Sequence, residues 1–267
     1  MPYSITLIGC GKMGEAMLRS WFNLNLVSHI RIIDPNPISD DLINTPEVSY
    51  QSSYDNTPIS TEFLILAVKP QILKEACTGL MQNVTQDCTI ISIAAGQTLE
   101  NLENLFSSTT PIVRVMPNTP ASIGKGVSVA IANADVQEDK KTAITKLLEA
   151  CGQCHWLENE GLMDSVTALS GSGPAYIFYL IEALAESGTE LGLPTEMAMS
   201  LARQTVIGSA ALAEHTPNTP AATLRENVTS PGGTTQAALE KMMDGRFQTL
   251  INEALIAAKN RAKELNQ

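Results

Sequence analysis

A glycine-rich turn near the start of the chain, Gly9-Cys10-Gly11-Lys12-Met13-Gly14, constrains the fold more than any other stretch. It follows the apolar, β-branched run Ser4–Ile8, which predicts a buried strand, and it precedes Glu15–Phe22, whose apolar residues have helical spacing. A second strand is predicted at His29–Ile33, and Asp34 follows it directly. Three glycines at this spacing between a strand and a helix, with an acidic residue about 20 positions further on, predict a Rossmann-type turn that binds a dinucleotide.

Each glycine of this turn has an expected role. Gly9 allows the tight turn, Gly11 lets a pyrophosphate approach the backbone, and Gly14 permits close packing of helix on strand. The start of the helix offers free N–H groups and the positive end of its dipole to phosphate. Asp34 favours NADH, because an acid here accepts from the ribose 2′-hydroxyl and repels a 2′-phosphate. Asp34 could equally cap the next turn, and Asn36 could contact a 2′-phosphate, so the choice between NAD and NADP stays open.

Further apolar runs extend the predicted sheet. The runs that predict strands are 63–68, 89–93, 112–116, 127–131 and 152–157. A helix is predicted at 137–150. Small residues and prolines recur just after these strands, at the edge where open parallel sheets bind ligands. Among them, Ala94, Ala95 and Gly96 leave room for a flat ring such as nicotinamide.

The pattern changes near Glu160, and no strand is predicted from Gly161 onward. Helical apolar spacing runs through 163–191, 196–214 and 247–265. The predicted fold is therefore α/β, with an N-terminal Rossmann-type doubly wound sheet over residues 1–160 and an all-α C-terminal domain over 161–267. The apolar faces of these helices are wider than one small domain can cover, which predicts a helical dimer interface.

Charge and cysteine content exclude several classes of function. A formal net charge of −11 argues against a nucleic-acid partner, which needs clustered Lys and Arg. The first residues have no signal-peptide pattern, and Glu182 and Glu186 interrupt the most apolar helix, so a cytoplasmic protein with no membrane contact is expected. Cys151-Gly-Gln-Cys-His155 matches a haem-attachment pattern but is more typical of a buried strand, and no metal site is predicted. Motifs of hydrolases, P-loop proteins and zinc proteases are missing from the sequence.

Two stretches in the helical half conflict with helix propensity. These are Leu169-Ser170-Gly171-Ser172-Gly173-Pro174-Ala175-Tyr176 and Thr229-Ser230-Pro231-Gly232-Gly233-Thr234-Thr235. Within a helix, Gly costs about 1 kcal/mol and Pro about 3 kcal/mol relative to Ala. Each stretch therefore predicts a helix break, a close backbone approach or a helix start that faces a ligand. We expect the first to shape a pocket wall and to begin the dimerising helix.

Through these segments the chain resembles the pyrroline-5-carboxylate reductase family over essentially its whole length. The matching segments are Leu169–Tyr176, Gln204-Thr205, Val228–Thr235, Gly9–Gly14, Ala67–Gln71, Ala94–Gly96 and Met116–Pro120. The resemblance implies hydride transfer from NAD(P)H to the C=N carbon of 1-pyrroline-5-carboxylate, which gives L-proline and completes proline biosynthesis. It also implies a homodimer, often assembled into a larger ring such as a decamer.

Two alternatives to this function stay open on sequence alone. One is a related reductase of the six-membered cyclic imine, a piperideine carboxylate, because one methylene is worth only about 1–3 kcal/mol of discrimination. The other is a non-enzymatic dinucleotide sensor, against which the intact Ser230–Thr235 stretch argues.

The resemblance and the substrate's chemistry together assign the site residues. Thr234 and Thr235 begin a predicted helix, whose free N–H groups can hold the substrate carboxylate without Lys or Arg. Thr235 is the expected catalytic residue, which hydrogen-bonds the imine nitrogen as a proton donor or only orients the ring; the alternative for it is a plain helix cap. The other expected substrate-binding residues are Ser172, Gly173, Gly232, Gly233 and Glu214, although the His215–Thr223 segment is longer than the family pattern. The expected cofactor-binding residues are Gly9, Cys10, Gly11, Lys12, Met13, Gly14, Asp34, Asn36, Asn56, Ala67, Val68, Lys69, Pro70, Ala94, Ala95, Gly96, Asn118 and Asn227.

Overall fold

The computed structural model describes residues 2–265 of the chain. Residue 1 and residues 266–267, the outer ends of the two predicted domains, lie outside the described residues. The chain divides into two compact units, one of residues 2–171 with 258–265 and one of residues 172–257. This division falls after Gly171, whereas the sequence predicts a domain boundary after Glu160.

The first unit is built on one eight-stranded sheet with the order β3-β2-β1-β4-β5-β6-β7-β8. Its strands are β1 Tyr3–Ile8, β2 Val27–Ile33, β3 Val48–Gln51, β4 Phe63–Leu66, β5 Thr89–Ser92, β6 Ile112–Met116, β7 Gly126–Ala132 and β8 Gly152–Trp156. Strands β1 to β6 are parallel, β7 is antiparallel to β6, and β8 is parallel to β7. Every predicted strand is present. β8 contains the Cys151–His155 run from Gly152 onward, but it is an edge strand with half-buried and exposed residues, so the prediction that this run is buried is wrong for β8.

The sheet differs from the prediction in two respects. The prediction missed β3, because this short edge strand is only half-buried and has no continuous apolar run. It also did not anticipate the reversed direction of β7 and β8, because alternation of apolar residues carries no information about strand direction.

Helices cover both faces of the sheet, as a doubly wound fold requires. They are α1 Lys12–Asn23, α2 Asp40–Ile43, α3 Leu73–Ala76, α4 Leu99–Leu105 and α5 Glu138–Glu149. Alternate residues of β4 enter different cores: Phe63 and Ile65 pack in the core that includes α1 and α5, whereas Leu64 and Leu66 pack in the core that includes α3 and α4. Such burial on both faces explains the continuous apolar run FLIL.

One charged side chain is buried in the sheet. Arg114 of β6 is 4% exposed, and its guanidinium lies 2.7 Å from a carboxylate oxygen of Glu160. The same oxygen accepts the Leu99 backbone N–H at 2.9 Å, at the start of α4. The ion pair therefore joins the segment after β8 to β6, and loss of Glu160 would leave the buried Arg114 guanidinium without this partner.

Beyond β8, every regular element in the described residues is a helix. These elements are α6 Met163–Val166, a π-helical turn Thr167–Gly171, α7 Gly173–Glu190, α8 Thr195–His215, α9 Ala221–Asn227, α10 Thr234–Met242 and α11 Arg246–Leu265. This confirms the predicted all-α half. Helices α7 and α8 pack on each other, and Gly188 allows this because a Cβ there would lie 3.2 Å from the Ala198 Cβ. No helix within residues 2–265 is long and apolar enough to cross a membrane.

Candidate active site

Two glycines of the first turn are required by close backbone approaches. Gly9 has φ +88°, and a Cβ on it would lie 2.8 Å from the carbonyl oxygen of Ala67, just after β4. A Cβ on Gly14 would lie 2.6 Å from the carbonyl oxygen of Gly9. Both distances are too short for any side chain, so these residues let α1 begin directly against the ends of β1 and β4.

Gly11 has a different environment. Its backbone, at φ −70° and ψ −175°, is open to any residue, and no atom of the described chain lies within 4 Å of its Cβ position. It is the N-cap of α1 and no side chain caps that helix, so the first N–H groups of α1 face this space. A Cβ would fill the cradle, and a phosphate suits it, because helix N-termini attract anions.

Asp34 lies at the centre of a hydrogen-bond network around this turn. Its side chain is buried, and one carboxylate oxygen accepts the Cys10 N–H at 2.6 Å. The other accepts both the N–H and the side-chain amide of Asn36, at 2.8 and 3.1 Å. Tyr50 adds its hydroxyl, which donates to the carbonyls of Asp34 and Asn36. The turn-capping interpretation of Asp34 is therefore realised, and Asp34 joins the glycine-rich turn to the end of β2.

Cys10 contributes no reactive thiolate to this site. Burial, reinforced by the negative charges of Glu15 and Asp34, raises the pKa of the Cys10 thiol to about 12. The thiol therefore stays neutral at physiological pH. The contribution of Cys10 is its backbone N–H, which donates to Asp34.

The parallel strand order brings the other predicted cofactor segments to the same edge. Strands β1, β4, β5 and β6 are consecutive neighbours, so their carboxyl ends lie side by side. The segments that follow them are Gly9–Gly14, Ala67–Pro70, Ala94–Gly96 and Met116–Asn118. Backbone bonds align these ends, because Ala67 N–H donates to Ile8 and Ile93 N–H donates to Leu66. The edge is the position at which open α/β sheets bind ligands.

Gly96 sits under the end of the last helix. It has φ +72°, and a Cβ on it would lie 2.8 Å from the carbonyl oxygen of Leu265 in α11. Leu265 and Tyr50 are not predicted from the sequence, because each reaches this edge from a segment distant in the chain and belongs to no local motif.

The remaining cofactor candidates differ in their surroundings. Lys69 is exposed and begins the 3₁₀ turn Pro70–Ile72. Asn118 is half-buried, and its side-chain amide bonds to two protein partners, Ser170 and Val127. Asn56, with φ +62°, lies beside Gly79, beyond the end of α3. Among the residues that the structure describes, no hydrogen bond joins Asn56 to the glycine-rich turn or to Asp34.

The helical unit contains the second predicted centre, at the start of α10. Gly233 is the N-cap of α10 and supplies no side chain, so the N–H groups of the first turn stay open. Gly232 has φ +70° and donates its N–H to the Gln236 side chain at 2.7 Å, which holds the turn in place. Such an arrangement can hold a carboxylate with backbone donors alone.

Thr235 lies inside this helix and not at its cap. The helix-cap alternative for Thr235 is therefore not realised, because Gly233 occupies that position. Its side chain is half-buried, and within residues 2–265 its hydroxyl makes no hydrogen bond. A hydroxyl beside open N–H groups can bind a polar group of a substrate while the backbone holds a carboxylate.

The other substrate and cofactor candidates of this unit lie at helix ends. Ser172 and Gly173 are half-buried at the start of α7, where the Ser172 carbonyl accepts the Ala175 N–H at 3.0 Å. Glu214 is in the last turn of α8 and Asn227 is the last residue of α9, and both are exposed. No group of three or more His, Cys, Asp or Glu side chains suited to a metal ion occurs in the described part of the chain.

Comparison with known families agrees with both halves of the fold. Residues 160–265 match the family described as pyrroline-5-carboxylate reductase dimerisation, and residues 4–96 match the family described as coenzyme F420-dependent NADP oxidoreductase.

Individual relatives extend the agreement to the whole chain. The sequence is 42% identical to the pyrroline-5-carboxylate reductase of Pseudomonas aeruginosa, across 98% of this chain and 96% of that protein. The solved structure of the Coxiella burnetii pyrroline-5-carboxylate reductase superposes with a TM-score of 0.91 at 35% identity and covers 100% of both chains. That of the Plasmodium falciparum pyrroline carboxylate reductase with NADP bound gives a TM-score of 0.84 at 29% identity, across 99% of this chain and 98% of that one. The chain therefore belongs to the pyrroline-5-carboxylate reductase family.

Proposed function

We propose that this chain carries out the reaction of its family, the reduction of 1-pyrroline-5-carboxylate to L-proline, with the residue roles described below. The observation that carries the assignment is the uncapped start of α10 with the Thr235 hydroxyl, which has no hydrogen-bond partner in the described part of the chain. As a family member the chain is an oxidoreductase that uses NADP or NAD in its reduced form. When bound, the reduced nicotinamide supplies the hydride that the imine carbon gains.

The first unit holds the dinucleotide. Gly11 and the first N–H groups of α1 bind the pyrophosphate, because a cradle without side chains meets the positive end of a helix dipole there. Lys12, Met13 and Ala67–Pro70 border this cradle. Ala95 is half-buried and has no bulky side chain, which suits a flat nicotinamide ring. Its neighbours Ala94 and Gly96 border this place, Ala94 buried in the core and Gly96 covered by the Leu265 carbonyl.

The helical unit binds the substrate. The open N–H groups of Thr234 and Thr235 hold the carboxylate, which explains how an acidic protein binds an anion without a cationic side chain. The Thr235 hydroxyl hydrogen-bonds the imine nitrogen and orients the ring for hydride transfer to its C=N carbon. Ser172, Gly173, Gly232 and Gly233 supply close backbone contacts.

The cofactor preference follows from the surroundings of Asp34. Its two carboxylate oxygens already accept hydrogen bonds from Cys10 and Asn36, so Asp34 is less able to select a ribose 2′-hydroxyl. Asn36 and Asn56 remain candidates for contact with the adenosine ribose or its 2′-phosphate. We therefore expect both NADPH and NADH to be used, at a ratio that has to be measured.

Assembly and location complete the proposal. The dimerisation family match supports a homodimer through the helical half, and the larger ring, such as a decamer, stays a prediction for sedimentation analysis of the whole chain. A cytoplasmic location stays a prediction for cell fractionation.

A steady-state assay tests the function. Purified protein is mixed with 1-pyrroline-5-carboxylate and either NADPH or NADH, and loss of reduced cofactor is matched to proline formed. We expect equal amounts of both, and kcat/KM at least about tenfold lower for the six-membered homologue, the lower end of what one methylene provides. No cofactor oxidation with either dinucleotide would exclude the enzyme, and a preference for the six-membered imine would establish the alternative reductase.

A further inference from the structure

The π-helical turn Thr167–Gly171 ends directly before Ser172 and Gly173, which carry proposed substrate contacts. Turns of this kind are rare and occur most often at functional sites. In a regular helix the carbonyl of Ser170 would accept the N–H of residue 174. Residue 174 is proline, which has no N–H, so this carbonyl loses its donor within the helix.

Asn118 supplies the missing donor. Its side-chain Nδ2 donates to the Ser170 carbonyl at 3.1 Å. Its Oδ1 accepts the Val127 N–H at 2.9 Å, at the start of β7. Because both ends of the amide are used, its orientation is fixed, and one side chain links the end of β6, the start of β7 and the π-helical turn.

A second contact tightens the same junction. A Cβ on Gly171 would collide with the terminal methyl group of Met116, the last residue of β6. Gly171 therefore packs against the flexible end of the Met116 side chain, and the Asn118 hydrogen bond joins the turn to the end of β6. The sequence motifs Met116–Pro120 and Leu169–Tyr176, which lie far apart in the chain, meet through these residues.

We propose that Asn118 is a positioning residue for hydride transfer, which acts by anchoring the Ser170 carbonyl and with it the start of the substrate-binding segment at Ser172. This inference rests on the proposed placement of the nicotinamide beside Ala94–Gly96, at the end of the strand next to β6. Reacting atoms must be held closely, and a displacement of about 1 Å costs roughly 100-fold in rate. Asn118 holds the turn from which Ser172 follows through a single hydrogen bond.

The variant Asn118→Asp removes only the hydrogen-bond donor to the Ser170 carbonyl. Aspartate keeps an oxygen for the Val127 N–H but cannot donate to Ser170. We expect kcat to fall about tenfold or more, while KM for the cofactor changes less than about threefold. The deuterium isotope effect on kcat, measured with cofactor labelled at the transferred position, should rise as hydride transfer becomes slower than product release.

Asn133 provides a matched control at the other end of the same strand pair. Its Oδ1 accepts the Ile112 N–H at 3.1 Å, and its Nδ2 donates to the Thr110 carbonyl at 2.9 Å. Asn133→Asp should lower the melting temperature but leave kcat and the isotope effect unchanged. If Asn118→Asp fails to fold, Asn118→Ala is compared with Asn133→Ala in the same way.

Two results would overturn the inference. One is an unchanged kcat and isotope effect in the Asn118 variant, and the other is an equal fall in kcat for both positions. The variant Ala95→Leu distinguishes failure of the Asn118 positioning role from failure of the proposed nicotinamide placement. Added bulk at residue 95 should raise the cofactor KM if the nicotinamide binds there. If it does, unaltered Asn118 kinetics overturn only the positioning role; if it does not, the placement and the inference both fail.

Discussion

At the scale of single residues, Gly11 and Gly14 belong to the same motif but meet different constraints. Gly14 faces the carbonyl oxygen of Gly9, so its missing side chain serves packing. Gly11 faces open space at the start of α1, so its missing side chain serves the ligand. The motif alone predicts both roles, and the structure adds the atoms that impose the first of them.

A pair of alanine variants separates these roles. Gly14→Ala should destabilise the protein by about 1–3 kcal/mol, because the new Cβ overpacks against backbone that cannot move freely. Gly11→Ala should keep the wild-type free energy of unfolding but raise the cofactor KM by about tenfold, equivalent to about 1.4 kcal/mol of binding. Urea unfolding and steady-state kinetics measure the two effects. Equal loss of stability in both variants would contradict the distinction.

Asp34 shows what residue-level prediction leaves undecided. Its position after the second strand identified it as part of the dinucleotide site. Whether it binds a ribose or caps a turn depends on the directions of the Cys10 and Asn36 donors, which the backbone path sets and the sequence does not encode locally.

At the scale of secondary structure, the sequence predicted most elements and few of their contacts. Apolar runs located the central strands, because strands buried on both faces need them. The half-buried β3 gave no such signal. The break before α7 was predicted from Gly171 to Pro174, but the π-helical turn and its link to Asn118 depend on residues brought together only by the fold.

The end of α11 provides a prediction at this scale. Gly96→Ala should destabilise the protein both through the positive φ and through collision with the Leu265 carbonyl. Ending the chain after Glu264 removes the collision but keeps the strain, which costs about 1 kcal/mol. The penalty of Gly96→Ala should therefore be smaller in the shortened chain, as a double-mutant cycle of unfolding free energies would report. An identical penalty in both chains would mean that α11 does not contribute to the destabilisation by Gly96→Ala.

At the scale of the whole molecule, the helical half exposes much of its apolar surface. Many large apolar side chains of α7 and α8 are exposed, including Tyr179 at 71% and Phe178 at 60%. Apolar surface of this extent marks an association site. The sequence predicted this interface from the width of the apolar faces, but not which residues a partner would cover.

Charge introduced on this surface should prevent dimerisation. Tyr179→Lys should convert the dimer to monomer in sedimentation experiments, because burial of an unpaired ammonium group is unfavourable. Leu24→Lys, which alters a side chain exposed by 57% at the end of α1, is the control and should leave the dimer intact. Dimers of normal stability in the Tyr179 variant would contradict the proposed interface.

Alkaline pH should weaken the fold through its buried thiols. Burial raises the pKa of the Cys77 and Cys88 thiols to about 12, whereas the unfolded chain has thiols that ionise near 9.0. A raised folded-state pKa gives stability that is complete below about pH 9 and is lost as pH rises towards 12, because the unfolded state binds fewer protons. The double variant Cys77→Ala/Cys88→Ala should show a shallower fall in unfolding free energy over this range. Equal slopes would mean that these thiols do not control the response.

The catalytic role of Thr235 is tested by the single-turnover rate of cofactor oxidation in Thr235 variants. Stopped flow with 1-pyrroline-5-carboxylate measures this rate. Thr235→Ala should lower this rate about 100-fold, the lower part of the range for a positioned proton-donating or hydrogen-bonding group, while Thr235→Ser, which keeps the hydroxyl, stays within about tenfold of wild type. A Thr235→Ala enzyme with wild-type single-turnover rate would contradict the assignment of the α10 N-terminus as the catalytic centre.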